Sequence, residues 1–464
     1  SKMIKNQSIS KNELYTHLMR RVGVGCTVNE LEKNSKIPYA ILVDQILSPN
    51  NPDSFQEDDF DRYFAHEGID IWAGRWLYRI INGGHPLREK ISIFWHQLFA
   101  TSWFKSEHPN SLIKQLEMFR EIGLSDVKSI LTSLSKDPAM LFWLDNNDNI
   151  DGEPNENYGR ELMELFSMGI GNYTENDVKN SALAFTGWTF SQPIPLYPTG
   201  HYNSHFKYEN FKHHQGSKKI LGHEGNFNGE DVIDIIVHQP ATANFICRHI
   251  YNFFVEDEPQ VPAWNIVAPK NPEAIKDLTN SYHKSNGNII EILRTLFNSD
   301  WFKNSTFKHL KSPAELVGHT LKISGSLKEI KPGILDYVSA ITNMGQHLLN
   351  PPTVEGWHTG KEWIDGGTLN ERVNFAVSEM NDPTKAGIQE IIKNIKSSDH
   401  EISSEKVVDL CIKFVGQSNI TSNTKNDLIK YSNKFNGQKF NDHLDDTIVK
   451  LIRMIVSTKE YQFS

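Results

Sequence analysis

Two glutamates and an arginine fall on one predicted helix, at a spacing that could support acid–base chemistry. Arg160, Glu161 and Glu164 belong to a segment whose apolar residues recur at helical spacing. Because Glu161 and Glu164 are three residues apart, their side chains neighbour each other on one helix surface. Neighbouring carboxylates push their proton affinities apart, which separates an acid from a base within one site. We therefore expect both glutamates to be catalytic, the alternative being a solvated helix face with ion pairs.

The residues that precede this pair favour contacts with a polar substrate. Asn155, Glu156 and Asn157 carry side chains that form directed hydrogen bonds. Glu156 is four residues before Arg160, so the two can meet on the helix. We expect the three preceding residues to bind substrate and Arg160 to orient and polarise it.

An imidazole lies within a second predicted helix, which is rich in aromatic residues. His96 follows Phe94 and Trp95 and precedes Phe99. A neutral imidazole in such surroundings still needs hydrogen-bond partners. A histidine satisfied within the core is one interpretation, and a base or ligand that faces the glutamate helix is the other. Both stay open, and His96 is included among the catalytic candidates.

A run of lysines and histidines follows further along the chain. His213 and Lys218 could bind an anionic group, whereas an exposed basic loop is the alternative. A second hypothesis gathers His96, Glu161, Glu164 and His213 around a divalent metal, since imidazole and carboxylate are suitable ligands. The sequence indicates no other cofactor.

Tryptophans beside turn residues could form a platform for a sugar ring. Trp357 follows Gly356 in a turn that begins with two prolines, and Trp363 lies close by. Exposed tryptophans can stack on sugars, although packing within the turn is the commoner role. Trp188, which opens an aromatic stretch, is a further candidate, so we expect Trp188 and Trp357 to contact substrate.

The composition excludes several classes of function. The chain has 464 residues, ample for a hydrophobic core. Its formal net charge of −9 provides no general basic field, so nucleic acid is not an expected partner. No stretch reaches the roughly 20 apolar residues that span a bilayer, so we expect no membrane-spanning helix. The three cysteines are far apart and odd in number, which favours buried thiols over disulfides.

Apolar residues at helical spacing along most of the chain predict a mainly α fold, with one large helical globular domain. Around residues 186–228 the pattern changes to aromatic, Gly, Pro and His residues with short alternating runs. This change predicts a small β-hairpin or irregular lobe. We expect residues 1–380 to form the main domain, including the lobe, and residues 381–464 to form a C-terminal helical subdomain packed on it.

Many of these motifs together resemble a bacterial family known as domain of unknown function 1800. The similarity runs from about residue 14 to residue 375, and the motifs occur in the family's order. They lie at 87–90, 94–96, 100–102, 155–157, 160–162, 164–166, 171–174, 186–189, 240–242, 311–313, 345–346, 351–352 and 356–357. One departure is His214, which stands where the family usually has aspartate, so a role that rests on a His-Asp pair is not expected here.

The resemblance also implies a setting for the protein. It implies an exported bacterial protein, periplasmic, cell-surface or extracellular, found in organisms that degrade polysaccharides. A sulfatase-like protein is the partner that it implies, by association alone.

The residues and the resemblance together predict an exported hydrolase that acts on a carbohydrate-like or anionic polymer. Glu161 and Glu164 would be its acid and base. Two carboxyls on one helix lie closer than glycosidases need, so one partner could instead be Glu156 or a distant residue. A divalent-metal enzyme and a non-catalytic helical scaffold, or polymer- or partner-binding subunit, are the alternatives.

Overall fold

Helices make up most of the protein. The computed structural model describes residues 9–48, 57–64, 68–103, 109–191, 204–398, 402–434 and 443–464. The predicted mainly α fold is confirmed, because the strands in these ranges form only two short antiparallel hairpins. Within the same ranges, every helix is too short or too polar to cross a membrane.

The helices of the first half are α1 (Lys11–Val22), α2 (Val28–Asn34), α3 (Tyr39–Leu47), α4 (Glu57–Tyr63), α5 (Ile69–Asn82), α6 (Pro86–Leu98), α7 (Pro109–Ile122), α8 (Val127–Ser135), α9 (Pro138–Trp143), α10 (Asn157–Glu164), α11 (Glu175–Ala184) and α12 (Gly229–Val237). Those of the second half are α13 (Pro240–Phe254), α14 (Pro272–Ser285), α15 (Ile289–Asn298), α16 (Asp300–Lys303), α17 (Pro313–Ser324), α18 (Ile334–Asn343), α19 (Gly366–Glu379), α20 (Ala386–Lys396), α21 (Ser404–Val415), α22 (Ser422–Asn433) and α23 (Leu444–Val456).

Reciprocal hydrogen bonds explain where two of these helices begin. Ser312 precedes α17: its hydroxyl accepts the N–H of Glu315 at 3.2 Å, and Glu315 accepts the N–H of Ser312 at 3.1 Å. Thr174 and Asp177 form the same pair at the start of α11, at 3.1 and 2.8 Å. Such bonds satisfy N–H groups that the first helical turn leaves free.

Two large hydrophobic clusters form the core. The first joins α1, α3, α6 and the helices from α8 to α15. The second joins α5, α17 and α18 to the C-terminal helices α20 to α23. Residues 386–456 thus bury their apolar faces against earlier parts of the chain, while a domain boundary near residue 380 stays a prediction.

The predicted lobe around 186–228 contains both hairpins. β1 (Trp188–Phe190) pairs with β2 (Phe206–Tyr208), with Trp188 opposite Tyr208. β3 (Lys218–Ile220) pairs with β4 (His223–Gly225). Residues 192–203 lie outside the described ranges. The alternating runs of the sequence are therefore strands, as predicted.

Ionised side chains are buried where α6 meets α17. Lys90 donates to Glu315 at 2.9 Å, and His309 lies 3.1 Å from the other oxygen of Glu315 and 2.8 Å from Asp257. Burial alone would lower the pKa of His309, but the carboxylates of Glu315 and Asp257 outweigh it and raise the pKa to about 9. We call these four side chains the buried ion network.

Candidate functional site

A cleft of about 610 Å³ lies beside α6 and α13, between the end of α10 and two loops at 256–271 and 350–365. Its aromatic lining residues are Phe94, Phe245, Phe253, Trp264 and Trp357. Its polar lining residues are Gln97, Glu164, Asn172, Asn244, Arg248, His249, Asn252, Gln260, Asn265, Glu355, His358 and Thr359. A concave site of this size, with apolar walls and a few polar groups, is typical of a ligand-binding site. We call it the cleft.

One helix supplies a continuous wall of the cleft. Asn244, Arg248 and Asn252 are spaced four residues apart in α13, so they lie on one face of that helix. Ile246 and Ile250 are buried in the core on the other face. This wall was not predicted from the sequence, although polar residues at four-residue spacing in an apolar helix are a signal for it.

Arg248 holds the loop at 256–271 against α13. Its guanidinium donates to Glu258 at 3.1 Å and to the carbonyl oxygen of Val267 at 2.9 Å. It also lies over the ring of Trp264, 4.7 Å from the centroid. These contacts fix Trp264 as a wall of the cleft, and the carboxylate of Glu258 compensates the charge of the arginine.

His249 continues this wall with a neutral imidazole. Its ring packs against Trp264 and Phe245, with centroid separations of 4.5 and 4.6 Å. Burial, helped by the charge of Arg248, lowers the pKa of His249 to about 3. Its Nε2 is buried and has no hydrogen-bond partner within the described ranges. The wall therefore contains a hydrogen-bonding nitrogen that the fold does not use.

Three carboxylates gather on the α10 side of the cleft. Glu164 and Glu355 line it, and Tyr173 donates its hydroxyl to Glu164 at 3.1 Å. Glu161 is half-buried beside them. Burial first, then the charges of Glu164 and Glu355, raise the pKa of Glu161 to about 7 against the opposing charge of Arg160. We call Glu161, Glu164 and Glu355 the carboxylate trio. It can gain and lose a proton near neutral pH, as acid–base catalysis requires.

Replacing Glu355 by glutamine is expected to lower the pKa of Glu161, because one of the negative charges that raise it is removed. An NMR titration of the Glu161 carboxyl carbon in labelled protein, from about pH 4 to pH 9, measures the change. As a control, Glu153→Gln removes an exposed carboxylate and should leave this titration unaltered. The same midpoint in parent and Glu355 variant would show that the two carboxyls do not interact.

Arg160 is engaged in surface ion pairs instead of lining the cleft. It donates to both carboxylate oxygens of Glu175, at 2.8 and 2.7 Å, and to Glu156 at 3.1 Å. These side chains are partly or largely exposed. The solvated helix face considered from the sequence therefore describes Arg160 and Glu156, while the same helix turns Glu164 to the cleft.

The residues before α10 fix its backbone. The N–H of Asn155 donates to the side-chain oxygen of Asn149 at 2.7 Å, and the N–H of Asn157 donates to that of Asn155 at 2.9 Å. None of these three lines the cleft. Asn155, Glu156 and Asn157 thus lie at the start of α10, and their contact with a substrate stays a prediction.

His96 and Trp357 meet behind the cleft. The N–H of Leu349 donates to Nε2 of His96 at 3.1 Å, and the imidazole lies edge-on to Trp357 with centroids 5.4 Å apart. Burial lowers the pKa of His96 to about 4, so it is neutral. Trp357 lines the cleft yet is only 6% exposed, and Trp363 is 5% exposed. Both indoles pack in a hydrophobic cluster with Leu310, which is the packing role that the sequence also allowed, and not an exposed platform.

The basic residues of the lobe stabilise the lobe itself. Lys218 is buried, and its ammonium donates to the carbonyl oxygen of His214 at 3.0 Å and to Asn226 at 3.2 Å. Nδ1 of His213 lies 2.9 Å from the carbonyl oxygen of Thr186. Neither side chain lines the cleft.

Two further residues of the lobe have local partners. Trp188 is buried and donates its indole N–H to Asn228 at 2.8 Å, so it does not face a ligand in the cleft. Nδ1 of His214 lies 2.8 Å from a carboxylate oxygen of Asp151. A His-Asp pair thus forms in this chain between residues that are distant in sequence.

The predicted metal ligands do not come together. Of the residues with described positions, no three His, Cys, Asp or Glu side chains form a group that could hold a metal ion. His96 and His213 are bound to backbone groups instead, apart from Glu161 and Glu164. The arrangement gives no support to a metal enzyme built on these four residues.

Comparisons with known proteins identify a family and no characterised relative. Residues 17–463 match the family model described as "Protein of unknown function (DUF1800)". Neither a curated protein nor a solved structure matches the chain.

Proposed function

The chain belongs to the DUF1800 family, and from its cleft we propose that it is a carboxylate-dependent acid–base enzyme that acts on a carbohydrate-like ligand. The observation that carries the proposal is the carboxylate trio, two of whose members line a large cleft walled by aromatic and amide side chains. The Glu161 carboxyl, which exchanges its proton near neutral pH, therefore lies beside a cleft that can hold a ligand.

The lining of the cleft supports a ligand rich in hydroxyl groups. Asn244 offers both a donor and an acceptor, Asn252 retains its amide N–H donors because its oxygen accepts the N–H of Glu258, and Asn172 retains its oxygen because its nitrogen donates to the carbonyl oxygen of Met168. The rings of Trp264 and Phe253 offer flat apolar surfaces beside them. A sugar ring matches this combination of polar and apolar surface, because its hydroxyls form hydrogen bonds and its C–H faces pack against aromatic rings.

The carboxylate trio supports hydrolysis as the reaction. In our proposal one cleft carboxyl, Glu164 or Glu355, protonates the leaving oxygen and the other activates water. Glu161 does not line the cleft, and its role is to retain a proton that the trio shares. This replaces the pair on one helix with two carboxylates from separate parts of the chain, which are not restricted to the short spacing of a single helical turn.

Glutamine at position 164 or 355 is expected to lower kcat by about 10²–10⁴-fold on any oligosaccharide that the parent cleaves, with a smaller change in KM. The measurement is the release of reducing ends from a panel of soluble neutral, amine-bearing and acidic oligosaccharides. Glu153→Gln, an exposed change outside the cleft, is the control. Full activity in both cleft variants would exclude the acid–base role. Binding without cleavage by the parent would identify a binding subunit instead.

Export from the cytoplasm and association with a sulfatase-like protein are proposals that rest on the family resemblance. A polymeric substrate would be met outside the cytoplasmic membrane. Fractionation of cells that produce the protein from its full-length gene tests the location. Recovery in the cytoplasmic fraction alone would exclude export.

A further inference from the structure

We infer that the cleft takes an amine-bearing sugar, with the ammonium group of the ligand held by Glu164 and Glu355. The inference rests on the proposed function for the cleft as the ligand site, and it does not depend on catalysis. Its basis is the charge of the groups that line the cleft.

The cationic side chains of the lining are already compensated or neutral. Arg248 forms an ion pair with Glu258, and this carboxylate compensates the positive charge of the guanidinium. His249 is kept neutral by burial, which lowers its pKa to about 3. His358 lies 2.5 Å from the carboxylate of Glu362. None of the three offers an unpaired positive charge to a ligand.

The two cleft glutamates, by contrast, lack a cationic partner. Glu164 accepts a hydrogen bond from the neutral hydroxyl of Tyr173. No lysine, arginine or histidine with a described position forms an ion pair with Glu164 or Glu355. Arg160, on the same helix as Glu164, is bound to Glu175. The lining therefore has an excess of negative charge at Glu164 and Glu355.

An ammonium group would satisfy this part of the cleft. Carboxylates form strong charge-assisted hydrogen bonds with ammonium donors. The ring of Trp264, which lines the cleft, can add cation–π attraction. The amide of Asn244 can pair with a hydroxyl of the same sugar chain.

An acidic sugar would meet repulsion at the same place. A carboxylate or sulfate on the ligand would lie near Glu164 and Glu355 and be repelled by their like charges, while the charge of Arg248 is already paired with Glu258. Lys218 and His213, the basic residues expected from the sequence to bind an anion, do not line the cleft. The structure thus favours the carbohydrate-like ligand of the sequence analysis over the anionic one.

Binding of three probes of equal length to the purified chain tests the inference. The probes are the glucosamine tetramer, its N-acetylated form and the galacturonic acid tetramer. Isothermal titration calorimetry at pH 6 and low salt measures each affinity. We expect the glucosamine tetramer to bind about ten-fold or more tightly than the acetylated one, and the acidic tetramer most weakly. Equal affinities, tighter binding of the acidic tetramer or no binding of any probe would overturn the inference.

A pair of variants assigns the preference to the glutamates. In the double variant Glu164→Gln, Glu355→Gln the ten-fold preference for the amine should disappear while the acetylated tetramer still binds. Glu153→Gln should retain the preference. A preference that persists in the double variant would overturn the assignment. Cleavage of neutral sugars without a preference for the amine would refute this inference and leave the proposed function intact. Selective binding of the amine-bearing tetramer without any cleavage would support this inference and refute the proposed function.

Discussion

Glu315→Gln is expected to lower the free energy of unfolding by about 3–5 kcal/mol, since it removes the one anion that two buried cations share. Glu315 contacts both Lys90 and His309, and all three are buried. Glutamine keeps the shape and the oxygen that accepts the N–H of Ser312, so the helix cap is preserved. The substitution therefore tests the charge of the buried ion network. Urea denaturation at pH 7, followed by far-UV circular dichroism, measures the loss.

The matched control is Glu291→Gln. Glu291 is the third residue of α15, as Glu315 is of α17, and its ion pair with Arg294 is exposed. Surface pairs contribute about 0–1 kcal/mol, so this variant should unfold at nearly the parental urea concentration. Similar losses in the two variants would show that burial of the charges is not what matters.

Gly356→Ala is expected to destabilise the chain by about 2–5 kcal/mol and to weaken ligand binding in the cleft. Gly356 has a φ of +77°, a region that disfavours side chains. An added Cβ would also lie 2.4 Å from the carbonyl oxygen of Gln97, so the loop would have to move. Its neighbours Glu355 and Trp357 both line the cleft and would move with it. Urea denaturation and titration with the glucosamine tetramer measure the two effects.

Gly345→Ala separates the strain of a positive φ from the steric contact with Gln97. Gly345 also has a positive φ, +108°, but an added Cβ would meet no atom within 4 Å. The expected cost is the conformational strain alone, about 1–2 kcal/mol, without loss of binding. An equal cost for both glycines would mean that contact with Gln97 is unimportant.

Local patterns predicted the elements of this fold because local interactions determine them. The short alternating runs predicted within residues 186–228 form strands of the two hairpins, and the apolar residues at helical spacing form helices. The contacts between distant helices could not be predicted from local patterns in the same way. The contact between α6 and α17 joins residues 90 and 315, and no periodicity within either segment reports on the other.

The site was predicted only in part, for a related reason. The neighbouring positions of Glu161 and Glu164 follow from helix geometry, and the structure places them in one electrostatic group. Glu355 joins them from a distant loop, which the spacing of residues cannot reveal. Lys218 was predicted to bind an anion because it is a basic residue near histidines. Its ammonium instead donates to the carbonyl oxygen of His214, a contact that residue types alone do not show.

The two faces of α13 have a practical consequence for engineering this protein. Ile246 and Ile250 anchor the helix in the core, and Asn252 holds the loop at 256–271 by accepting the N–H of Glu258 at 2.8 Å, whereas Asn244 lines the cleft. A saturation library at Asn244 could therefore explore new ligand preferences at little cost to foldability. The scaffold and the recognition surface can evolve almost independently at this position.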